Sequence, residues 1–382
     1  MKKISLIGST GSIGRQTVEV VLNNPDKFKI VALAANCSHG LFNKQLSALR
    51  PAYAALADED AAKKITEVPA GTRFYSGEEA ALAAASYEEA DIVLVAAGGF
   101  AGLKYSLAAI NAGKVLALAN KETLVCSGDL VMPLIKERGG DIRPVDSEHS
   151  AIWQCLGFNL AAPFKRLLIT ASGGAFRDFT PEQLGSVTPE MALRHPTWNM
   201  GAKITIDSAT MLNKGFEVIE AHHLFGAEYA AITAVLHPQS IVHSMVEFCD
   251  GAVVAQLSNP TMKLPIQLAL GYPERAPTEG AELDFSKALS LSFEPISRGR
   301  FPCFDIALDC ARAGGTLPCA LNAAGEVAVH AFLSGGLKFT DIARVIDGTV
   351  CREPALRVES YEQLCEADAR ARAVAAELIA GL

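Results

Sequence analysis

No basic tail, no basic stripe and no long apolar run occurs anywhere in this 382-residue chain. The first two absences exclude nucleic acid as the expected partner, since a phosphate backbone calls for clustered Lys and Arg. The third excludes a membrane span, because stretches such as Ile92 to Ala97 are far too short for a bilayer. Nine cysteines are present, but they are scattered, odd in number and form no Cys-x-x-Cys pair. No zinc or disulfide framework can be read from that spacing, and a reducing cytoplasm is the expected compartment. Repeats and low-complexity tracts are also missing. The start, Met1 to Gly8, carries two lysines and a short apolar run that breaks at Gly8. It reads as a first buried strand with no signal or transit segment ahead of it.

What is present is an acidic chain, net charge −8, with half its residues hydrophobic. That length is too great for one ordinary core, so two or three domains are expected. An acidic protein that takes anionic ligands must concentrate cations locally or borrow them from a metal.

Up to about residue 146, short apolar runs alternate with helical patterns. Strands are expected at Ile4–Ile7, Ile30–Ala34, Ala52–Leu56, Ile92–Ala97, Val115–Ala119 and Ile142–Val145. Helical segments between them, such as Gln16–Leu22, Ala80–Ala85, Leu103–Asn111 and Leu130–Glu137, imply an α/β fold with a Rossmann-like, doubly wound parallel sheet. After Asp146 the pattern changes. Arg166–Thr170, Ala202–Ile206, Ala231–Leu236, Ser240–Glu247 and Ala252–Leu257 read as strands, several with polar alternation, and a helix is expected around Ser208–His223. This predicts a central α+β domain. Prolines 273, 277, 295 and 302 mark a linker. The Ala-rich remainder, with helices at Ala320–Phe332 and Glu362–Leu378, predicts a C-terminal helical domain. The expected segments are therefore 1–146, 147–271, a linker 272–302, and 303–382.

Gly8-Ser-Thr-Gly11-Ser-Ile-Gly14 follows the first strand and opens a helix. Glycines there let the backbone turn tightly and approach a pyrophosphate at the positive helix end. The spacing is G-x-x-G-x-x-G rather than G-x-G-x-x-G, and a structural turn is the competing reading. No acid follows the second strand, where Asn36, Cys37 and Ser38 stand; an acid would grip ribose hydroxyls, so its absence favours NADP over NAD.

A second constellation is acidic. Asp146-Ser147-Glu148 closes a strand, and alternation predicts both carboxylates on one face. Asn213, Glu217 and Glu220 fall on one helical stripe, with Ser208 expected to cap that helix. Carboxylates suit Mg²⁺ or Mn²⁺, and Ser, Asn and Lys suit a phosphate. An ordinary amphipathic helix with exposed acids would give the same spacing. Ser172-Gly-Gly174 is a second small-residue turn. The run Arg194 to Gly201 carries a cation, His195, Trp198 and Met200, as expected of a loop that closes over a site or packs its Trp on the core. His222-His223 reads as helix surface, and His237 as structural.

The chain resembles the 1-deoxy-D-xylulose 5-phosphate reductoisomerase family. The resemblance is carried by the glycine loop, Leu118-Ala-Asn120-Lys121-Glu122, Pro144-Val-Asp146-Ser-Glu148-His149, Ser172-Gly-Gly174, His195-Pro-Thr-Trp198-Asn-Met-Gly201, Asp207 through Glu217, and His237-Pro-Gln-Ser240, in order along most of the chain. It implies a homodimer that isomerises and reduces 1-deoxy-D-xylulose 5-phosphate to 2-C-methyl-D-erythritol 4-phosphate with NADPH. Asp146, Glu148 and Glu217 would hold Mg²⁺ or Mn²⁺. Ser147, Glu148, Ser172, His195, Ser208, Asn213, Lys214, Glu217 and Lys121 would meet the substrate. Thr10, Gly11, Ser12, Ile13, Asn120, Glu122 and Gly201 would meet NADPH, with Asn36, Cys37 and Ser38 at its 2′-phosphate end. Lys121, Glu148, His195 and Trp198 would be catalytic, Trp198 on a lid. The family commonly has Gly, a basic residue and Asn where Asn36, Cys37 and Ser38 stand, and Asn where Gly325 stands. Of two rival readings, a plain NADP-dependent sugar-phosphate or semialdehyde dehydrogenase leaves the acidic trio unused, and a nucleotide-sensing binding protein predicts cofactor binding without metal dependence or turnover.

Overall fold

Seven short strands, almost all of them buried apolar runs, form one parallel sheet. They are β1 (Lys2–Ile7), β2 (Phe28–Ala35), β3 (Tyr53–Leu56), β4 (Arg73–Ser76), β5 (Ile92–Val95), β6 (Val115–Leu118) and β7 (Ile142–Pro144). The structure is a computed structural model that describes residues 1–194, 198 and 200–382. The strand order is β4-β3-β2-β1-β5-β6-β7, with every pairing parallel. The order reverses between β1 and β5, the switch point at which doubly wound sheets bind ligands. The glycine loop leaves β1 there. Strand β4 escaped the sequence reading because Arg-Phe-Tyr-Ser is short, lies at the sheet edge and is largely exposed.

Chain contacts divide the molecule into two compact units that are not consecutive stretches. The first comprises 1–123, 133–150 and 261–281; the second comprises 124–132, 151–260 and 282–382. The core of the first is built from Ile4, Leu6, Leu33, Phe42 and Leu94 under the sheet. Ile266, Ala269 and Leu270 of the helix Lys263–Gly271 join the same core. That helix is tied down where Arg143 donates to the Ala269 carbonyl (3.0 Å) and Lys2 to that of Gly271 (2.9 Å).

The second unit holds a five-stranded sheet, ordered β11-β10-β8-β9-β12. Its strands are β8 (Arg166–Ala171), β9 (Ile232–Leu236), β10 (Val242–Glu247), β11 (Val253–Leu257) and β12 (Glu294–Pro295). Pairing of β8 with β9 is parallel and the remainder is antiparallel. The region expected to be a linker therefore contributes a strand, with Glu294 opposite Leu236. Helices follow at Pro302–Ala313, Leu317–Leu333, Asp341–Val350 and Tyr361–Ala380, which contain both helices expected in this part. Small residues Ala320, Ala323 and Ala371 form a buried cluster between two of them.

One expected strand is a helix. Ala202–Ala209 is helical despite its β-branched alternation. Two (i, i+4) contacts close that helix: Lys203 pairs with Asp207 at 2.7 Å, and the Thr205 hydroxyl donates to the Gly201 carbonyl at 2.9 Å. Met211, with φ +60°, breaks the chain before the helix Leu212–Phe225 begins.

That helix sits against Pro302–Ala313 through Gly215, where an added Cβ would lie 2.3 Å from the Ala307 Cβ. Gly215→Val would gain helix propensity worth less than about 1 kcal/mol. The clash outweighs it, and overpacking of this kind costs about 1–3 kcal/mol. The urea midpoint of Gly215→Val should fall accordingly; an unchanged midpoint would mean that the two helices can separate freely.

Candidate active site

The phosphate loop is shaped by what it cannot accommodate. Gly8 takes φ +81°, and a Cβ there would lie 2.6 Å from the Ala96 backbone. A Cβ on Gly14 would meet the Gly8 carbonyl at 2.3 Å. The helix α1 (Ser12–Leu22) starts from Gly11 with no side-chain cap. Thr10, Ser12 and Ile13 are half-buried and Gly11 is exposed, so loop backbone faces outward at a positive helix end. The residues after β2, Asn36, Cys37 and Ser38, are all exposed and lead into α2 (His39–Leu49).

Asn120 is buried and caps the helix Lys121–Arg138 by accepting from the Thr123 N–H. Its amide donates to the Gly99 carbonyl (3.0 Å) and to Glu122 Oε2 (2.7 Å). Gly102 makes room for it, since a Cβ there would lie 2.4 Å from the Asn120 side chain. Lys121 follows, and its ammonium lies 2.8 Å from Asp146 Oδ2. The sequence placed Asp146 and Glu148 on one strand face; instead β7 ends at Pro144 and Glu148 lies in the first turn of the helix Ser147–Cys155. The Ser150 N–H already donates to the Asp146 carbonyl, which is why strand alternation ceases. The Ser147 hydroxyl donates to Glu148 Oε2 at 2.5 Å.

In the second unit, Ser172-Gly173-Gly174 turns sharply, with φ +83° and +70° at the glycines. The Gly174 N–H donates to Ser172 Oγ (3.2 Å), and Arg177 donates to the Ser172 carbonyl (2.9 Å). A Cβ on Gly174 would lie 2.6 Å from the Ser208 carbonyl, so this turn is packed directly on Ser208. Ser208 does not start a helix; it lies in the last turn of Ala202–Ala209, because Met211 interrupts the expected continuous one. Asn213 and Lys214 lie in the first turn beyond the break. Asn213 donates to Glu217 Oε1 (2.5 Å), and Lys214 pairs with Glu217 Oε2 and donates to the Thr170 carbonyl (2.5 Å). Glu217 is only 1% exposed, which rules out the solvated-acid reading of this helix. Ser172, Ser208, Asn213, Lys214 and Glu217 thus converge around one break between two helices.

His195, Pro196, Thr197 and Asn199 lie outside the described residues. Trp198 is half-buried, with its ring edge-on to His243 at 6.0 Å between centroids. Gly201 is exposed at the head of Ala202–Ala209, with open space where a Cβ would stand.

Three sequence-family profiles match in order. They are 1-deoxy-D-xylulose 5-phosphate reductoisomerase over residues 4–128, its C-terminal domain over 142–225, and the DXP reductoisomerase C-terminal domain over 257–374. The chain belongs to the 1-deoxy-D-xylulose 5-phosphate reductoisomerase family. The reductoisomerase of Pelotomaculum thermopropionicum is 48% identical over the whole of both chains. That of Exiguobacterium sibiricum is also 48% identical, over 99% of each. Among solved structures, the Zymomonas mobilis reductoisomerase in complex with NADPH has 39% identity, covers 100% of both chains and superposes with a TM-score of 0.92. A DOX-P reductoisomerase in complex with NADPH, fosmidomycin and magnesium has 37% identity and a TM-score of 0.93, covering 99% of this chain and 98% of that one.

Sequence reasoning missed His243, which meets Trp198, and Thr170, which meets Lys214. Neither carries a motif; each is an inward position on a strand whose neighbours are set only by folding. The reading of His222-His223 as helix surface also fails. Both are half-buried and line a cavity of about 130 Å³ with Cys126, Asp129, Tyr229 and Pro318. Gly128 admits the His223 ring, since any side chain there would strike it. His237 is structural as read: fully buried, its Nε2 accepts from the Ile241 and Val242 N–H groups.

Burial pushes the His243 imidazole down to about 4, against the pull of hydrogen bonding at Ser258, with His237 and Lys214 adding to the fall. His223 is likewise lowered to about 4 by burial and by His222, against the pull of Asp129. Both folded values lie below the unfolded value of about 6.5. Below that value the unfolded chain takes up protons that the folded one refuses. Stability should therefore be full above about pH 6.5 and fall as pH drops toward about 4. Urea unfolding across this window should show the decline, and His243→Gln should flatten it by up to about 1.4 kcal/mol per pH unit. An identical slope in the variant would show that His243 takes up its proton equally in the folded and unfolded states.

Proposed function

We propose that this protein converts 1-deoxy-D-xylulose 5-phosphate to 2-C-methyl-D-erythritol 4-phosphate, using NADPH and a divalent metal, in non-mevalonate isoprenoid biosynthesis. One observation carries the reading. Full-length membership of the reductoisomerase family coincides with the convergence of Ser172, Ser208, Asn213, Lys214 and Glu217 at a single helix break. A plain dehydrogenase has no use for a buried carboxylate held by an amide and an ammonium.

The residues present suit both absent groups. The glycine loop is a cradle that a Cβ at Gly8 or Gly14 would fill, as close approach of a pyrophosphate requires. Thr10, Gly11, Ser12 and Ile13 would hold that pyrophosphate, and Asn36, Cys37 and Ser38 would border the 2′-phosphate. Asn120, Glu122 and Gly201 would meet the remainder of the cofactor, which supplies the hydride. Asp146, Glu148 and Glu217 are hard oxygen donors of the kind Mg²⁺ and Mn²⁺ prefer. We assign them as the ligands of an ion that acts as a Lewis acid toward the substrate carbonyl and its neighbouring hydroxyl.

The chain's own groups do the rest. Ser172, Ser208, Asn213 and Lys214 bind the substrate phosphate and supply orientation from a remote point, so that truncated substrates lose rate as well as affinity. Lys121, beside Asp146, bears on the substrate end of the cofactor, and Ser147 orients Glu148 through their hydrogen bond. On the family resemblance alone, His195 is assigned to the substrate. Trp198 covers it and excludes water, which strengthens the electrostatics beneath.

A homodimer fits the second unit. Strand β11 lies at a sheet edge and exposes Val253 (50%), Val254 and Leu257. An edge so apolar favours pairing with a second copy. We place the protein in the cytoplasm, as its nine free cysteines suggest. No helix of the described residues is long and apolar enough to cross a membrane.

NADPH oxidation by 1-deoxy-D-xylulose 5-phosphate should require Mg²⁺ or Mn²⁺, and Glu217→Gln should abolish most turnover while circular dichroism stays that of the parent. Full activity after rigorous chelation sinks the metal assignment, and no turnover with either ion sinks the reaction. Separately, Trp198→Ala should raise the KM for the substrate by about tenfold, the loss of roughly 1.4 kcal/mol of contact, and leave the metal requirement unaltered. A KM equal to that of the parent would remove Trp198 from the substrate's cover.

A further inference from the structure

We infer that Gln45 is the positioning residue that sets the shape of the dinucleotide loop, and through it the affinity for the nicotinamide cofactor. This rests on the cofactor reading given above. Ser9, the second residue of the loop, is wholly buried, and Gln45 of α2 is 4% exposed. The two are joined by a closed pair of hydrogen bonds. Ser9 Oγ donates to Gln45 Oε1 at 2.8 Å, and Gln45 Nε2 donates to the Ser9 carbonyl at 2.8 Å. A carboxamide can accept and donate at once without carrying charge, and Gln alone has both that group and this reach.

The arrangement decides which way a loop carbonyl points. Carbonyl oxygens repel a pyrophosphate, whereas backbone N–H groups attract it. By taking the Ser9 carbonyl inward, Gln45 keeps that oxygen off the face where the cofactor phosphates would lie. The same peptide region is pinned from a second side. The Gly8 and Ser9 N–H groups both donate to the Ala34 carbonyl, at 2.9 and 3.0 Å, near the end of β2. Gly8 alone, with its positive φ, would leave the Ser9 peptide free to rotate; the Gln45 bonds remove that freedom. Helix α2 also begins directly after Asn36, Cys37 and Ser38. One rigid helix therefore carries both the anchor of the pyrophosphate loop and the lead-in to the 2′-phosphate end. Gln45 needs no contact with the cofactor to act in this way.

The test uses the full-length protein and two variants. NADPH is titrated without substrate or metal, following nicotinamide fluorescence, and steady-state kinetics and melting temperatures are recorded alongside. Gln45→Met fills the same space but leaves the Ser9 hydroxyl and carbonyl buried without partners. Its Kd and KM for NADPH should rise about tenfold, equivalent to about 1.4 kcal/mol, while kcat at saturating cofactor is retained. A merely structural role would lower the melting temperature and leave the Kd of the folded protein unchanged.

Gln45→Glu gives a readout that survives a failure of Gln45→Met to fold. An ionised carboxylate accepts from the Ser9 hydroxyl but cannot donate to its carbonyl; a protonated one does both. Calorimetry with NADP⁺, which tolerates acid, should show weak binding near about pH 8 and recovery relative to the parent toward about pH 5.5, as the buried carboxyl gains its proton. A folded Gln45→Met with parental Kd, or a pH-independent ratio of Gln45→Glu to parent, overturns the inference alone. A parent that binds no NADPH overturns the cofactor reading, and the inference with it.

Discussion

A carboxylate removed from water must be met by donors, and Glu217, only 1% exposed, is under that requirement. The Asn213 amide and the Lys214 ammonium, four and three residues earlier on one helix, meet its two oxygens. Removing one partner of such a buried pair costs about 3–5 kcal/mol, because the remaining charge is stranded. The local geometry follows from the need to keep the trio together. Met211 takes the left-handed conformation so that the chain can turn just before Asn213. Gly215 stays bare so that the helix can seat against Pro302–Ala313. The Thr170 carbonyl, at the end of β8, accepts from Lys214 and sets the helix against the sheet.

The pairing also bears on chemistry. An ammonium held on a carboxylate neutralises it and shortens its reach. Lys121 on Asp146 is the same device in the first unit. In both places a cation offsets the cost of holding a carboxylate largely out of water.

The glycine loop solves a different problem, that of bringing an anion against backbone. Its three glycines are not interchangeable. Gly8 is forced by a positive φ and by the Ala96 backbone, Gly14 by the Gly8 carbonyl, while Gly11 faces only a 3.3 Å approach. The spacing G-x-x-G-x-x-G is thus the record of two steric exclusions six residues apart, with a third, looser position between them.

Sequence by itself determined a good deal. The parallel sheet was legible because strands buried on both faces are continuous apolar runs, and two of the four C-terminal helices, Leu317–Leu333 and Tyr361–Ala380, because of their Ala-rich helical spacing. Asp146, Glu148 and the Ser208–Glu217 run were singled out from the sequence because residue type and order point to chemistry independently of conformation. Their local geometry was not. Asp146 and Glu148 were read on a strand face and lie at a helix start; Ala202–Ile206 was read as a strand and is a helix; Ser208 was read as a cap and ends a helix. Each depends on hydrogen bonds between residues three to five apart competing with sheet pairing, and the margin is smaller than propensity resolves. Only tertiary structure could show that Glu217 is buried, that His243 meets Trp198, that His223 fills the space left by Gly128, or that Gln45 meets Ser9 from 36 residues away. Such contacts join positions whose separation along the chain is arbitrary, so composition and periodicity hold no trace of them. They exist because packing excludes water, and a polar atom without water must find its partner wherever the fold has brought one.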